Sequence, residues 1–232
     1  MSMVFRDRIL EGKVAFLTGS SSGIGLGIAE AFAAHGAKVM LNGRNADKLA
    51  AARDAIAAQG GMAEFAACDV RQYDALAEAL KQTKERWGEL DILVCGAAGN
   101  FPAPVTGISA NGFKAVIDID LLGTFNACRA AYEYLRKPGA SILAISANHA
   151  SVAYPYQAHV CAAKAGIERL AQVLALEWGR DGVRSNLINP GPIDDTEGMR
   201  RLAPTPEARA AAVRSVPLGR PGTKTDIANL AL

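Results

Sequence analysis

No run of about 18 apolar residues occurs in the chain, which excludes a membrane-spanning helix. The N-terminus lacks the basic-then-apolar order of a secretory signal, so the location reads as cytoplasmic. Net charge is only +2 and the basic residues are scattered, which removes the electrostatic case for nucleic acid. Cysteine is sparse: Cys68, Cys95, Cys128 and Cys161 stand far apart with no C-x-x-C pair, each inside an apolar or helical stretch. They read as reduced thiols, with neither a disulfide framework nor a metal set. Repeats and low-complexity linkers are missing too, so no second domain is indicated.

Apolar content, by contrast, is ample. Half of the 232 residues are hydrophobic, enough to bury a full core in one domain. The organising stretch is Thr18-Gly19-Ser20-Ser21-Ser22-Gly23-Ile24-Gly25, where an apolar run over Lys13–Leu17 gives way to a helical pattern opening at Ile24. A strand, a glycine-rich turn and a helix N-terminus make an anion site, because glycine lets the backbone pass close to a phosphate and the first N–H groups of the helix point at it. A dinucleotide pyrophosphate suits such a site.

Periodicity predicts strands over 13–18, 38–42, 63–67, 91–95, 141–146 and 184–188, and helices over 23–35, 46–59, 73–87, 111–136 and 157–180. Met1–Glu11 is a mixed lead-in, and the segment after strand six as far as Arg220 reads as mobile. The fold class is α/β: a Rossmann-like, doubly wound parallel sheet with helices on both faces, since apolar strands alternate strictly with helices. Lys224–Leu232 reads as a helix start where such a sheet would normally gain another strand. A targeting tripeptide would then lie beyond Leu232, and a peroxisomal address stays open.

The turn T-G-x-x-x-G-x-G in this setting resembles that of the short-chain dehydrogenase/reductase superfamily. The resemblance implies that Gly19, Ser20, Ser21, Ser22, Gly23 and Ile24 bind a nicotinamide dinucleotide. At the end of strand two stands Asn42-Gly43-Arg44, with no acid until Asp47. An acid there would accept from the ribose hydroxyls, whereas the Arg44 guanidinium grips a 2′-phosphate, so the cofactor reads as NADP(H). Asp69 matches the family's adenine contact and also suits an N-cap of the third helix. Pro190, Gly191, Ile193 and Thr196 match the segment that closes over the nicotinamide. Cys95-Gly96-Ala97-Ala98-Gly99 stands where the family has Asn-Asn-Ala-Gly, so small residues remain but side-chain support is lost.

Most of the superfamily carries Tyr-x-x-x-Lys after strand five, a phenol one helical turn from an ammonium. Here Lys164 is preceded at that spacing by Val160, the assisting serine position is Ala147, and the usual asparagine of the long helix is Asp120. In combination with Ala97-Ala98-Gly99-Asn100-Phe101 and Thr196-Glu197-Gly198-Met199-Arg200-Arg201, these departures are similar to the 2,4-dienoyl-CoA reductases, particularly the peroxisomal type, from Phe5 to Leu232. The resemblance implies NADPH-dependent reduction of 2,4-dienoyl-CoA to 3-enoyl-CoA in unsaturated fatty acid β-oxidation. Catalysis would fall to Asp120, orienting a water, and Lys164, holding the nicotinamide ribose.

It further implies an acyl-CoA contacted by Arg71, Phe101, Ser109, Asn111 and Arg201, and a homotetramer assembled through the two long helices, whose Ala127, Ala130, Ala131, Ala171 and Ala175 permit close approach. A core-only role for those alanines is the alternative. Asp120 and Lys164 could equally form a structural ion pair. Two further functions stay open: a carbonyl or enone reductase working through Tyr154, Tyr156 or His159, and a non-catalytic NADP-sensing binding protein. His149 is a further candidate donor.

Overall fold

A computed structural model describes residues 7–232. Residues 1–6, including most of the predicted lead-in and the start of the likeness at Phe5, lie outside the described residues. Six parallel strands form one sheet in the order β3-β2-β1-β4-β5-β6. They are β1 (Val14–Thr18), β2 (Lys38–Gly43), β3 (Met62–Ala67), β4 (Ile92–Cys95), β5 (Ser141–Ile145) and β6 (Arg184–Ile188). Helices α1 (Gly23–Ala34), α2 (Ala46–Ala58), α3 (Tyr73–Trp87), α4 (Ala110–Ile117), α5 (Gly123–Ala131) and α6 (Ala158–Trp178) cross between them.

Strand β1 shows why the sheet is covered on both sides. Its five residues are all buried, and alternation sends Val14 and Phe16 to one face, Ala15 and Leu17 to the other. The first pair joins Leu76, Leu80, Leu93, Ala127 and Ile167 in one core layer; the second joins Ile28, Phe32, Leu41, Leu49 and Val94 in the opposite one. Ala127, Ala130 and Ala131 lie in the first layer, so they fill this chain's own core.

The predicted helix over 111–136 is not one α-helix. After α4 the chain makes a π-helical turn, Asp118–Leu122, and α5 stops at Ala131. Leu135 then pairs with Leu90 in an isolated parallel bridge beside the sheet. Tertiary packing decides this: at Gly123 a Cβ would sit 2.5 Å from Val70 Cγ2, and Asn126 Nδ2 donates to Val70 O at 2.9 Å. The segment predicted as mobile is also built up, into α7 (Glu197–Leu202) and α8 (Pro206–Arg214), with Thr196 and Thr205 as their N-caps.

α9 (Lys224–Ala231) opens on a capping box of Thr223 and Asp226 and lies against α1, where a Cβ on Gly27 would meet Lys224 Cβ at 2.7 Å. The Ile193–Gly222 bridge ties the chain after β6 to this helix, with Asp194 N donating to Gly222 O at 2.8 Å and Gly222 N to Pro192 O at 2.8 Å. Among the described residues, no helix is long and apolar enough to cross a membrane.

At the amino end of the sheet, Asp91 is buried to 3% exposure and accepts from Val14 N at 3.0 Å, Lys13 Nζ at 2.9 Å and Arg136 Nε at 2.7 Å. Burial pushes its carboxyl pKa up, but the Val14 N–H and the Lys13 and Arg136 cations outweigh burial and leave it below its ordinary value. A depressed carboxyl pKa stabilises the fold above the unfolded-state value of about 3.9, and that stabilisation is lost as pH falls through the folded value. Because both cations are half-exposed, Asp91→Asn should cost only about 2 kcal/mol at neutral pH, read from urea unfolding. The gap between wild type and variant should close as the measurement is repeated toward about pH 3.

Candidate active site

Strand order reverses between β1 and β4, whose carboxyl ends Thr18 and Cys95 lie side by side in register. The loops leaving them therefore diverge and open a crevice, the place where open α/β sheets bind ligands. The turn after β1 is pressed against the loop after β4. A Cβ on Gly19, at φ +67°, would lie 2.6 Å from Ala97 N, so only glycine fits both the conformation and the approach. Thr18 Oγ1 accepts from Gly96 N at 3.1 Å and Ala97 N at 3.4 Å. It thus supplies the support that the missing asparagines would give, a role sequence reading did not assign to it.

The turn's serines divide. Ser20 is fully buried; its hydroxyl donates to Leu17 O at 2.8 Å and accepts from Asn42 N at 3.0 Å, bracing β1 to β2. Ser22, the N-cap of α1, makes no side-chain capping bond, and the first turn holds no acid. The N–H groups opening α1 thus have no competing side-chain acceptor, which suits a phosphate. The observed cradle therefore fits a dinucleotide. Past β2, exposed Arg44 lies close enough to Asp69 to lower its pKa.

Asp69 does not cap α3, whose N-cap is Gln72. Its carboxylate instead accepts from Arg71, at 3.0 Å to Nε and 2.6 Å to Nη2. Those hydrogen bonds, then the Arg71 backbone N–H and the Arg71 and Arg44 charges, hold its pKa below the usual carboxylate range against burial. Arg71, expected on coenzyme A phosphates, is thus occupied by Asp69.

Deeper in the crevice the π-helical turn delivers Asp120. Such turns insert one residue into a helix and re-aim its side chains. Asp120 has no solvent exposure; Oδ1 accepts from Gly99 N at 2.7 Å, and Oδ2 stands 3.3 Å from Lys164 Nζ without hydrogen-bond geometry. Lys164, 7% exposed on α6, donates from Nζ to Ile145 O at 3.0 Å, at the carboxyl end of β5. Burial pushes the Asp120 carboxyl pKa up, and the net shift stays upward although Lys164, Gly99 N–H and His159 oppose it. The sequence thus put an acid and an ammonium in the same place from positions on two different helices.

Val160, at the phenol position, is buried with Val116 and Ala163, and Phe101 packs on that small cluster. Phe101 also meets the His159 ring edge-on, centroids 4.4 Å apart. Ser109 is the N-cap of α4, accepting from Gly112 N, and Asn111 is exposed in the first turn. Arg201 reaches from α7 to Asn100 O at 2.7 Å and to Glu197 at 2.8 Å, joining the segment after β6 to the loop after β4. Thr196 caps α7 while donating to Ile193 O at 2.8 Å; Ile193 is buried, and Pro190 and Gly191 lie in the irregular stretch between β6 and it. His149 stacks on exposed Tyr154 at 4.3 Å, and Tyr156 is exposed at φ +65°.

A family model described as enoyl-(acyl carrier protein) reductase matches residues 19–232. The chain is 42% identical over 242 residues to the peroxisomal 2,4-dienoyl-CoA reductase [(3E)-enoyl-CoA-producing] of Arabidopsis thaliana, covering all of this chain (100%) and 81% of the relative. It is 40% identical over 225 residues to the probable 2,4-dienoyl-CoA reductase [(2E)-enoyl-CoA-producing] of Bacillus subtilis, with 96% and 89% covered. A solved short chain dehydrogenase from Bacillus anthracis superposes with a TM-score of 0.87 at 39% identity, over 95% of this chain and 87% of that one. With its reversed-order parallel sheet, glycine cradle and matches along nearly its whole length, the chain belongs to the short-chain dehydrogenase/reductase family of nicotinamide-dependent oxidoreductases.

Proposed function

We propose that this protein reduces 2,4-dienoyl-CoA thioesters with NADPH, giving the 3-enoyl-CoA. The observation that carries this reading is the buried Asp120–Lys164 pair standing in the crevice where Val160 takes the place of the family's phenol. The names of the relatives support it, since they are dienoyl-CoA reductases. NADPH, when bound, supplies a hydride.

Hydride delivered to the far end of a conjugated diene leaves negative charge on the thioester oxygen, so no phenol is needed at the carbon that accepts it. What is needed is positive potential near that charge and a proton source for the carbon chain. Lys164 provides the first and is assigned to the nicotinamide ribose; Ile145 O fixes its direction. Asp120, held by Gly99 N–H, is assigned to orienting a water that delivers the proton. The apolar wall of Phe101, Val116 and Val160 restricts water around the reacting carbons. Asn111 and Arg201 are assigned to the coenzyme A end, with Arg71 available once a phosphate competes with Asp69 for its guanidinium.

The test is NADPH oxidation followed optically with 2,4-hexadienoyl-CoA. Wild type should turn over, and Asp120→Ala and Lys164→Ala should each lose at least about 100-fold in kcat/KM. No consumption of any dienoyl thioester, with simple ketones reduced instead, would sink the reading; product analysis separates the 3-enoyl from the 2-enoyl outcome.

For the cofactor, Arg44→Asp should invert the preference toward NADH, through loss of a bidentate phosphate contact and gain of an acceptor for the ribose hydroxyls. A change of about 100-fold or more in the ratio of NADPH to NADH efficiency is expected. An unchanged ratio would assign the cofactor choice elsewhere.

A homotetramer is also proposed. Leu122, Phe125, Val173 and Leu176 stand out from the π-helical turn, α5 and α6, with Leu176 83% exposed, a stripe suited to a symmetric partner face. Light scattering at assay concentration should give four chains, and a monomer would remove the assignment.

A further inference from the structure

His159 sits in the first turn of α6 with no solvent exposure, yet neither Nδ1 nor Nε2 has a hydrogen-bond partner among the described residues. Burying an imidazole with both nitrogens unpaired costs free energy that a structural role would not repay. The surroundings share the deficit. Asn100 Oδ1 and Gln157 Oε1 are likewise buried without hydrogen bonds, and Asp120 Oδ2 has the Lys164 ammonium at 3.3 Å but accepts no hydrogen bond.

His159 and Asp120 share one neighbourhood. Asn100 follows Gly99, whose N–H holds Asp120; Phe101 follows it and meets the His159 ring; and His159 acts electrostatically on Asp120. A polar group held between the His159 ring and the Asp120 carboxyl would partner unpaired atoms of both, which is the setting of an ordered internal water. The proposed proton-delivering water of Asp120 needs such a second anchor.

We propose that His159 is the positioning residue for proton delivery: its imidazole and the Asp120 carboxylate together hold the water that protonates the reduced thioester. This rests on the dienoyl-CoA reading above. Hydride addition to the far carbon puts two electrons into the diene and leaves a dienolate. The held water gives a proton to a carbon of that dienolate, its O–H bond breaking as the C–H bond forms. The hydroxide left behind takes a proton from the Lys164 ammonium beside Asp120, and solvent restores that proton after product leaves, while His159 only holds the water.

The other charged or titratable groups facing this place are Lys164, on the same helix, and His149, from the turn after β5. Burial first, and the Lys164 charge second, lower the pKa of His149. Asp118, near in sequence, is paired with Lys114 on the outer surface.

The experiment has two arms. In protein labelled with 15N-histidine and free of cofactor, three histidines give three ring spin systems, assigned by His35→Gln and His149→Gln. At neutral pH, Asp120→Asn should displace the His159 ring resonances and leave those of His35 in place; unmoved His159 resonances overturn the proposal without requiring a folded His159 variant.

In the kinetic arm, His159→Gln should keep NADPH binding and lower kcat on 2,4-hexadienoyl-CoA by about 100-fold with little change in KM. The solvent deuterium isotope effect should grow as protonation becomes limiting, and added imidazole should restore part of the rate to His159→Ala. A His159→Gln enzyme with wild-type kcat and pH profile overturns this inference alone. Wild type inactive on every dienoyl thioester overturns the reading beneath it, and this inference with it.

Discussion

A buried carboxylate and a buried ammonium cannot stand apart in a dry crevice, and this constraint organises the site. Each charge loses hydration worth several kcal/mol, which only a close partner and directed hydrogen bonds offset. Asp120 and Lys164 meet that condition at 3.3 Å, with Gly99 N–H on one side and Ile145 O on the other. The pair thereby ties the π-helical turn, the loop after β4, the end of β5 and α6 into one body. The residual upward shift of the Asp120 carboxyl shows that burial is not fully offset. A buried carboxyl whose pKa is raised by burial and opposed by one charged partner is the kind of group that functional sites select.

The crevice around that pair depends on backbone approach more than on side chains. Gly19 lets the turn after β1 touch Ala97, and Thr18 pins Gly96 and Ala97 from below. Ser20 braces β1 to β2 through Leu17 O and Asn42 N. The result is a rigid floor from which the uncapped end of α1 points outward. On the opposite rim Arg201 fastens α7 to Asn100, and the Ile193–Gly222 bridge fastens the same segment to α9. A wall that sequence reading left as mobile is thus held at both ends by polar contacts on the surface, which open more readily than core packing.

Much of the site was legible because its residues are chemically unusual where they stand. An arginine after β2, an acid in an apolar helix and a lysine four residues after a valine are all visible without coordinates. Less legible were residues whose role is to hold others. Thr18 looks like any strand-ending threonine until the loop after β4 is seen folded onto it. Asp69 reads as a helix cap, yet the chain between it and α3 turns so that Gln72 takes that position and Arg71 claims the carboxylate. His159 reads as one spare donor among several, beside Tyr154 and Tyr156, and its complete burial with two unpaired nitrogens sets it apart from them.

The sequence by itself determined the succession of the six strands, the parallel sheet covered on both faces, the glycine-rich turn after β1 and the identity of the charged pair. These follow from local rules: periodicity of apolar residues, glycine where the backbone must turn, and charge where apolar residues are otherwise required. Tertiary structure alone decided that the long helix widens into a π-helical turn at Asp118–Leu122 and stops at Ala131, with Gly123 and Asn126 fitted against Val70, a residue far away in the chain. It likewise decided which polar groups find partners. Hydrogen-bond satisfaction in a crevice depends on distances between segments that no spacing along one segment encodes.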